Sequence, residues 1–235
     1  MDAANVFGNA FKAFLEGDED AQIEVSINGE KDDPIDVAHF FRDYEDMPFL
    51  EQYAMNMCEG KIADLGAAAG CHALHLQQMG HEVWAVEQDK AACEVMRKRG
   101  IVHVLHEDAM KLEGKFDTIL LMMNGWGMGK NIKGTLDLVK HLKTCLNPGG
   151  MILGDTSDLV YMFPNKKGQP QPSLESNNYY GELHFEIKWA HQKNTFNWIY
   201  PDPNLLELIA NEAGLEFNLH AEGEHFDYLV SMQLI

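Results

Sequence analysis

The chain has 235 residues, 18 of them basic and 37 acidic, for a formal net charge of −19. Such a surface repels phosphate backbones and anionic lipid, so neither nucleic acid nor a membrane is an expected partner. No apolar run has the length of a membrane span, the start Met-Asp-Ala-Ala-Asn lacks a basic-then-apolar leader, and Cys58, Cys71, Cys93 and Cys145 show no paired spacing; reduced thiols in the cytoplasm are expected.

Residues 1–48 read as an N-terminal cap segment ahead of a main domain over 49–235. Val6, Phe7, Ala10, Phe11 and Phe14 fall on one side of a helix over Asn5–Leu15, which Gly17-Asp-Glu-Asp20 ends. Ile23, Val25 and Ile27 alternate with polar residues, predicting a strand over 22–28 that stops at the turn pair Asn28-Gly29. The stretch 36–44 carries His39-Phe40-Phe41-Arg42, and Met47-Pro48 opens a helix over about 49–59.

From residue 60 onward strands and helices alternate. Strands are predicted at 61–65, 82–86, 101–105, 117–123 and 151–155, with helices at about 71–79, 89–99 and 131–146. That rhythm predicts a parallel sheet with helices on both faces and a ligand at the carboxyl ends of the strands. Residues 157–202 read as an insertion, with loop composition at 164–172 and a hairpin of 183–189 and 195–200 turning through 191–194. A helix over 203–213 with Gly214 as its C-cap leads to two final strands, 215–220 and 226–234.

The segment Lys-Ile-Ala-Asp-Leu-Gly-Ala-Ala-Ala-Gly-Cys-His, residues 61–72, is a buried strand, a glycine-bent turn and a helix start. Such a turn lets a ligand approach the backbone and offers it free N–H groups. The dinucleotide fingerprint matches at only one of three glycines, Gly66. The order Asp64, Gly66, Ala68, Gly70 instead resembles motif I of the class I S-adenosylmethionine-dependent methyltransferases, with alanine where a glycine is usual. Further along, Glu87 ends the second strand, Asp108-Ala109 follows the third, Phe116–Asn124 is the fourth, and Leu146–Asp155 carries a Pro-Gly-Gly turn into the fifth. These stretches resemble later motifs of the same family, in the same order.

The resemblance implies a Rossmann-like, doubly wound α/β sheet of seven strands, the last antiparallel and inserted between the fifth and sixth. It implies S-adenosyl-L-methionine as cofactor, S-adenosyl-L-homocysteine as product, and a small-molecule acceptor methylated on O, N or C. Asp64, Gly66, Ala67, Ala68 and Gly70 would hold the amino-acid end of the cofactor. Glu87 would accept the ribose hydroxyls, and Gln88, Asp108, Ala109 and Met110 would lie by the adenine. Asn124 and Gly125 would mark where cofactor and acceptor meet.

The cap and the insertion are rich in aromatics, which wall apolar or planar acceptors. Tyr44, Trp126, Tyr161 and Trp198 are the candidate acceptor contacts, among further rings at Phe40, Phe41, Phe163, Tyr179 and Tyr180. Arg42 suits either the cofactor carboxylate or a surface salt bridge. Cys71, His72 and His75 have a metal-like spacing without a partner pair, so no metal is expected, and no histidine stands out as a base. Asn124-Gly-Trp-Gly replaces the Asn-Pro-Pro-Tyr of enzymes acting on amide or base nitrogen. A macromolecular acceptor, a non-catalytic cofactor-binding module in which Ala68 marks decay, and a nicotinamide oxidoreductase are the alternatives. Oligomeric state is left open.

Overall fold

The computed structural model describes residues 5–162, 174 and 179–234. Phe163 and the loop expected at 164–172 lie outside the described residues. Helix α1, Val6–Leu15, buries Val6, Ala10 and Phe11 along one stripe. Strand β1, Gln22–Ile27, buries Ile23 and Val25 at alternate positions. Asn28 and Gly29, with φ of +53° and +87°, turn it into β2, Glu30–Lys31. Two positive φ values suit the twist of a tight hairpin, so this pair ends the strand as its sequence predicts. β3, Ile35–Asp36, pairs with the start of β1. Single 3-10 turns at Val37–Phe41 and Tyr44–Asp46 lead to α2, Phe49–Met57.

The alternating region then runs β4 (Lys61–Leu65), α3 (Cys71–Gln78), β5 (Glu82–Glu87), α4 (Lys90–Lys98), β6 (His103–His106), β7 (Phe116–Leu121), α5 (Ile132–Lys143) and β8 (Leu146–Ser157). After it come β9 (Glu182–Trp189), β10 (Gln192–Ile199), α6 (Pro203–Ala213), β11 (Glu216–Glu222) and β12 (Asp227–Gln233). Local chemistry sets the helix ends. Asp89 caps α4 through the Ala91 and Ala92 N–H groups, Asn131 caps α5 through Gly134 N–H, and Asp202 caps α6 just before Pro203. Gly214, at φ +67°, ends α6.

The large sheet has the order β11-β12-β8-β7-β4-β5-β6. Strands β4 to β8 pair in parallel. β12 lies antiparallel to both β8 and β11 and alone opposes the rest. This is the doubly wound, Rossmann-like sheet with a reversed last strand between the fifth and sixth. Two apolar layers pack its faces, one around Ile119, Trp126, Leu142 and Leu206, the other around Ile62, Leu76, Met96 and Leu120.

Some boundaries differ from expectation for local reasons. β6 starts at His103 because Ile101 is buried beneath the turn before α3, against Gly70. β7 stops at Leu121 because Met123 and Asn124 turn left-handed. The hairpin turns at Ala190-His191, not 191–194, with Trp189 paired to Gln192.

The cap and the insertion share one further sheet, β10-β9-β1-β2 with β3 on β1. Val25 pairs with Ile187, so cap and insertion, read as separate in the sequence, are hydrogen-bonded into one layer. Helix α1 packs this layer onto α4. The contact is close because residue 8 is a glycine: its N–H donates to Asp89 Oδ2 at 2.9 Å, and a Cβ there would fall 2.7 Å from the Ala91 methyl. Gly8→Val pushes α1 off α4 and is expected to destabilise by about 1–3 kcal/mol, read as a lowered urea midpoint at unchanged m-value.

Candidate functional site

At the carboxyl end of β4 the chain bends through Gly66, Ala68 and Gly70, whose φ angles are +68°, +51° and +82°. The bend is stitched to β5: Gly66 and Ala67 N–H donate to Val86 O at 2.9 and 3.2 Å, and Ala68 N–H to Glu87 Oε2 at 3.1 Å. Ala68 therefore adopts the backbone of the glycine that the motif prefers, at a cost of about 1 kcal/mol for its Cβ. Gly70 caps α3 without a side chain, so no cap side chain takes the first N–H groups of that helix.

Asp64, the last acid before the bend, is 2% exposed. Its Oδ2 has no hydrogen-bond partner among the described residues. Burial pushes its carboxyl up to about 6, against the pull of His72 and the Ala73 N–H. Beside it lies a buried ion cluster. His72 Nε2 is 2.6 Å from Glu51 Oε2, and the Arg42 guanidinium bonds both the same carboxylate oxygen and the His39 carbonyl. The Arg42, Glu51 and His72 side chains are all under a tenth exposed. Arg42 is thus an interior ion partner, not a surface one, and its Nε is left without an acceptor among the described residues. Burial opposes charge on His72, yet Cys71, Glu51 and Asp64 hold its pKa well above the ordinary value. Burial also opposes charge on Glu51, and the hydrogen bonds and charges of His72 and Arg42 outweigh it, lowering its pKa.

Glu87, at the end of β5, accepts from Asp89 N–H at 2.8 Å as well as from Ala68. Burial raises its carboxyl pKa, and those N–H groups partly offset the shift. Gln88 is exposed, with its carbonyl 3.0 Å from His106 Nε2. Asp108 is exposed and caps the turn Ala109–Lys111 by accepting from Met110 N–H at 2.9 Å; Ala109 is half-buried against the core. After β7, Met123 and Asn124 take φ of +57° and +58°, which points the Asn124 N–H at Asp155 Oδ2, 3.1 Å away. Gly125 is buried against Leu121.

No family model matches the sequence, and no curated relative is detected. Among solved structures, a methyltransferase from Bacteroides fragilis, in complex with S-adenosyl-L-homocysteine, is 33% identical over 98% of this chain and 94% of that one, with a TM-score of 0.89. The chain belongs to the S-adenosylmethionine-dependent methyltransferases. Two further similar structures carry the fold alone. The CcbJ methyltransferase of Streptomyces caelestis is 16% identical over 81% of this chain and 94% of its own, with a TM-score of 0.59. DesVI of Streptomyces venezuelae is 15% identical over 95% and 96%, with a TM-score of 0.58.

In this methyltransferase the four aromatic candidates sit in different settings. Tyr44 stacks on His75 with ring centres 4.3 Å apart, and with Arg42, Cys71 and Arg99 it lines a cavity of about 490 Å³. Trp126 is wholly buried in the sheet–helix core, where its Nε1 faces Gly154. Tyr161 is 54% exposed and stacks on Phe226. Trp198 is half-buried on β10, its indole pressed on Gly127 where a Cβ has no room. Of the four, it is therefore Trp198 that brings the second sheet onto the loop after β7.

Sequence reasoning passed over Glu51, His72 as an ion partner, and Asp155. Asp155 had a readable signal, an acid at the end of the fifth strand just as Asp64 stands at the end of the first. Glu51 had none, because its partners come from two other elements. Two outcomes follow. Glu51→Ala strands two buried cations and is expected to cost about 3–5 kcal/mol in urea unfolding. Ala68→Gly relieves the left-handed alanine and stabilises by up to about 1 kcal/mol in the same assay.

Proposed function

We propose that this methyltransferase moves a methyl group from S-adenosyl-L-methionine to a small-molecule acceptor at the carboxyl edge of the large sheet. The observation that carries this reading is the left-handed bend at residues 66–70 with the buried, unpartnered Asp64 Oδ2 beside it. The residues present fit the cofactor. A buried carboxylate oxygen lacking a donor suits an α-ammonium. The unpartnered Arg42 Nε and the α3 N-terminus suit a carboxylate. The two Glu87 oxygens suit vicinal hydroxyls in exchange for the backbone N–H groups they now accept.

On this reading Asp64, Gly66, Ala67, Ala68 and Gly70 hold the amino-acid end, and Glu87 holds the ribose. Gln88, Asp108 and Ala109 flank the adenine, and Asn124 and Gly125 mark the meeting point with the acceptor. Bound there, the cofactor would supply an electrophilic methyl on sulfur. The chain's own residues contribute alignment and exclusion of water. Ala68 and Met123 pack into the apolar cluster of the second sheet, and Trp198 seals Gly127. That cover supports a small acceptor, with Trp198 and Tyr161 on its side of the site and Tyr44 at the cofactor's other end. The charge of −19 argues further against nucleic acid.

We assign residues 1–48 as the cap, 49–235 as the methyltransferase domain and 157–202 as its acceptor-side insertion. No helix of the described residues is long and apolar enough to cross a membrane. Four free, buried cysteines suit the reducing cytosol.

Calorimetric titration tests the reading. S-adenosyl-L-homocysteine is expected to bind in the micromolar range, and Glu87→Ala to weaken it by about tenfold or more, which is ~1.4 kcal/mol. NADH is expected to give no heat. Binding of NADH in place of S-adenosyl-L-homocysteine would move the chain's chemistry to hydride transfer.

A further inference from the structure

The end of β8 holds a polar group that the assignments above do not use. Asp155 accepts from the Asn124 N–H through Oδ2, at 3.1 Å, and its Oδ1 is buried without a partner among the described residues. The side-chain oxygen of Asn124 is likewise buried and unpartnered. Two residues joined by one backbone-to-side-chain hydrogen bond thus each carry a side-chain acceptor oxygen that lacks a donor among the described residues. Leaving a buried acceptor unmet is costly, and native interiors seldom do so without a reason.

The nearby protein groups do not meet that need. The His72 imidazole lies in the field of Asp155, but its Nε2 is taken by Glu51 and its Nδ1 faces Cys71 Sγ at 3.8 Å. Glu51 adds a like charge. Burial, the largest influence, pushes the Asp155 carboxyl up to about 6, so this carboxylate gains from any donor or cation that reaches it. The backbone beside it is also unusual. Met123 and Asn124 are consecutive non-glycine residues in the left-handed region. Strain of that kind collects where a site needs a fixed geometry. Here it fixes Asn124 against Asp155.

We infer that Asp155 and Asn124 form an amine-binding subsite, and that the methyl acceptor presents a primary or secondary amine there. The inference rests on the methyl-transfer reading above and narrows its acceptor. An alcohol brings one O–H and leaves an oxygen unmet, and a carbon acid brings no comparable donor. An amine can address both oxygens, and a protonated one also answers the charge. Burial first, then the fields of Tyr161, Asp32 and Asp155, push the Tyr200 hydroxyl up to about 12. In the reaction a proton of the amine would pass to Asp155 Oδ1, and the lone pair so freed would form N–CH₃ as the methyl–sulfur bond breaks with its electrons kept by sulfur.

The test is calorimetry on the full chain saturated with S-adenosyl-L-homocysteine. The probes are two matched pairs, benzylamine with benzyl alcohol and cyclohexylamine with cyclohexanol. At least one amine is expected to bind about tenfold or more tighter than its alcohol. Asp155→Asn is expected to remove that preference while its S-adenosyl-L-homocysteine affinity stays within about twofold, since the change keeps shape and removes charge. Equal binding of amine and alcohol, binding of no amine, or a preference that survives Asp155→Asn would overturn the subsite. Should Asp155→Asn not fold, the wild-type comparison decides alone. Failure of S-adenosyl-L-homocysteine itself to bind is a separate result, which removes the cofactor reading and leaves the amine comparison to be run on the free protein.

Discussion

A carboxylate taken out of water must be met by cations, and Glu51 meets this demand with two groups from elsewhere in the chain. Arg42 comes from the cap and His72 from the first turn of α3, while Glu51 itself rides on α2. Three elements that share no regular hydrogen bonding are thereby held at one point. That point lies next to Asp64 and the bend that follows it. Burying ions of both signs rarely adds stability over an apolar core, so the cluster is better understood as fixing position. It sets where α3 begins, and so where the helix's free N–H groups face.

The strand tips show a second recurring device. Ala68, Met123 and Asn124 are non-glycine residues in the left-handed region, and each lies where a strand of the large sheet leaves its ladder. The surrounding structure holds them there. Ala68 is tied to Glu87, Asn124 to Asp155, and both Ala68 and Met123 pack under the second sheet. The carboxyl edge of the large sheet is thus built from conformations that a free chain would avoid.

Much of this was legible in the sequence because the signals are local. Asp64-Leu-Gly and the apolar run before it specify a strand, a bend and a helix within a dozen residues. Gly214 after Leu205, Leu206 and Ile209 places the end of α6 to the residue. The reversed last strand followed from the resemblance, and the pairing of β12 with β8 bears it out. What was hidden depends on distant parts of the chain. Asp155 is readable as an acid late in the fifth strand, but its bond to the Asn124 N–H is not. Trp126 reads as a pocket wall, yet the left-handed pair before it sends the indole into the core under Gly154. Arg42 and Glu51 are close in sequence, but nothing local shows that both are interior.

The pairing of β1 with β9 has a consequence for synthesis. Val25 leaves the ribosome some 160 residues before its partner Ile187 does. At ~5–20 residues per second, the strand and the phenylalanine-bearing helix before it wait about ten to thirty seconds for the hairpin that covers them. During that interval Phe7, Phe11 and Phe14 lack the completed second sheet, for roughly its first half they lack α4 as well, and the open edge of β1 can pair with another chain. The charged stretch Gly17–Asp20 between helix and strand carries three acids, a local guard for the part of the molecule that stays unfinished longest. The second sheet is thus begun first and closed late.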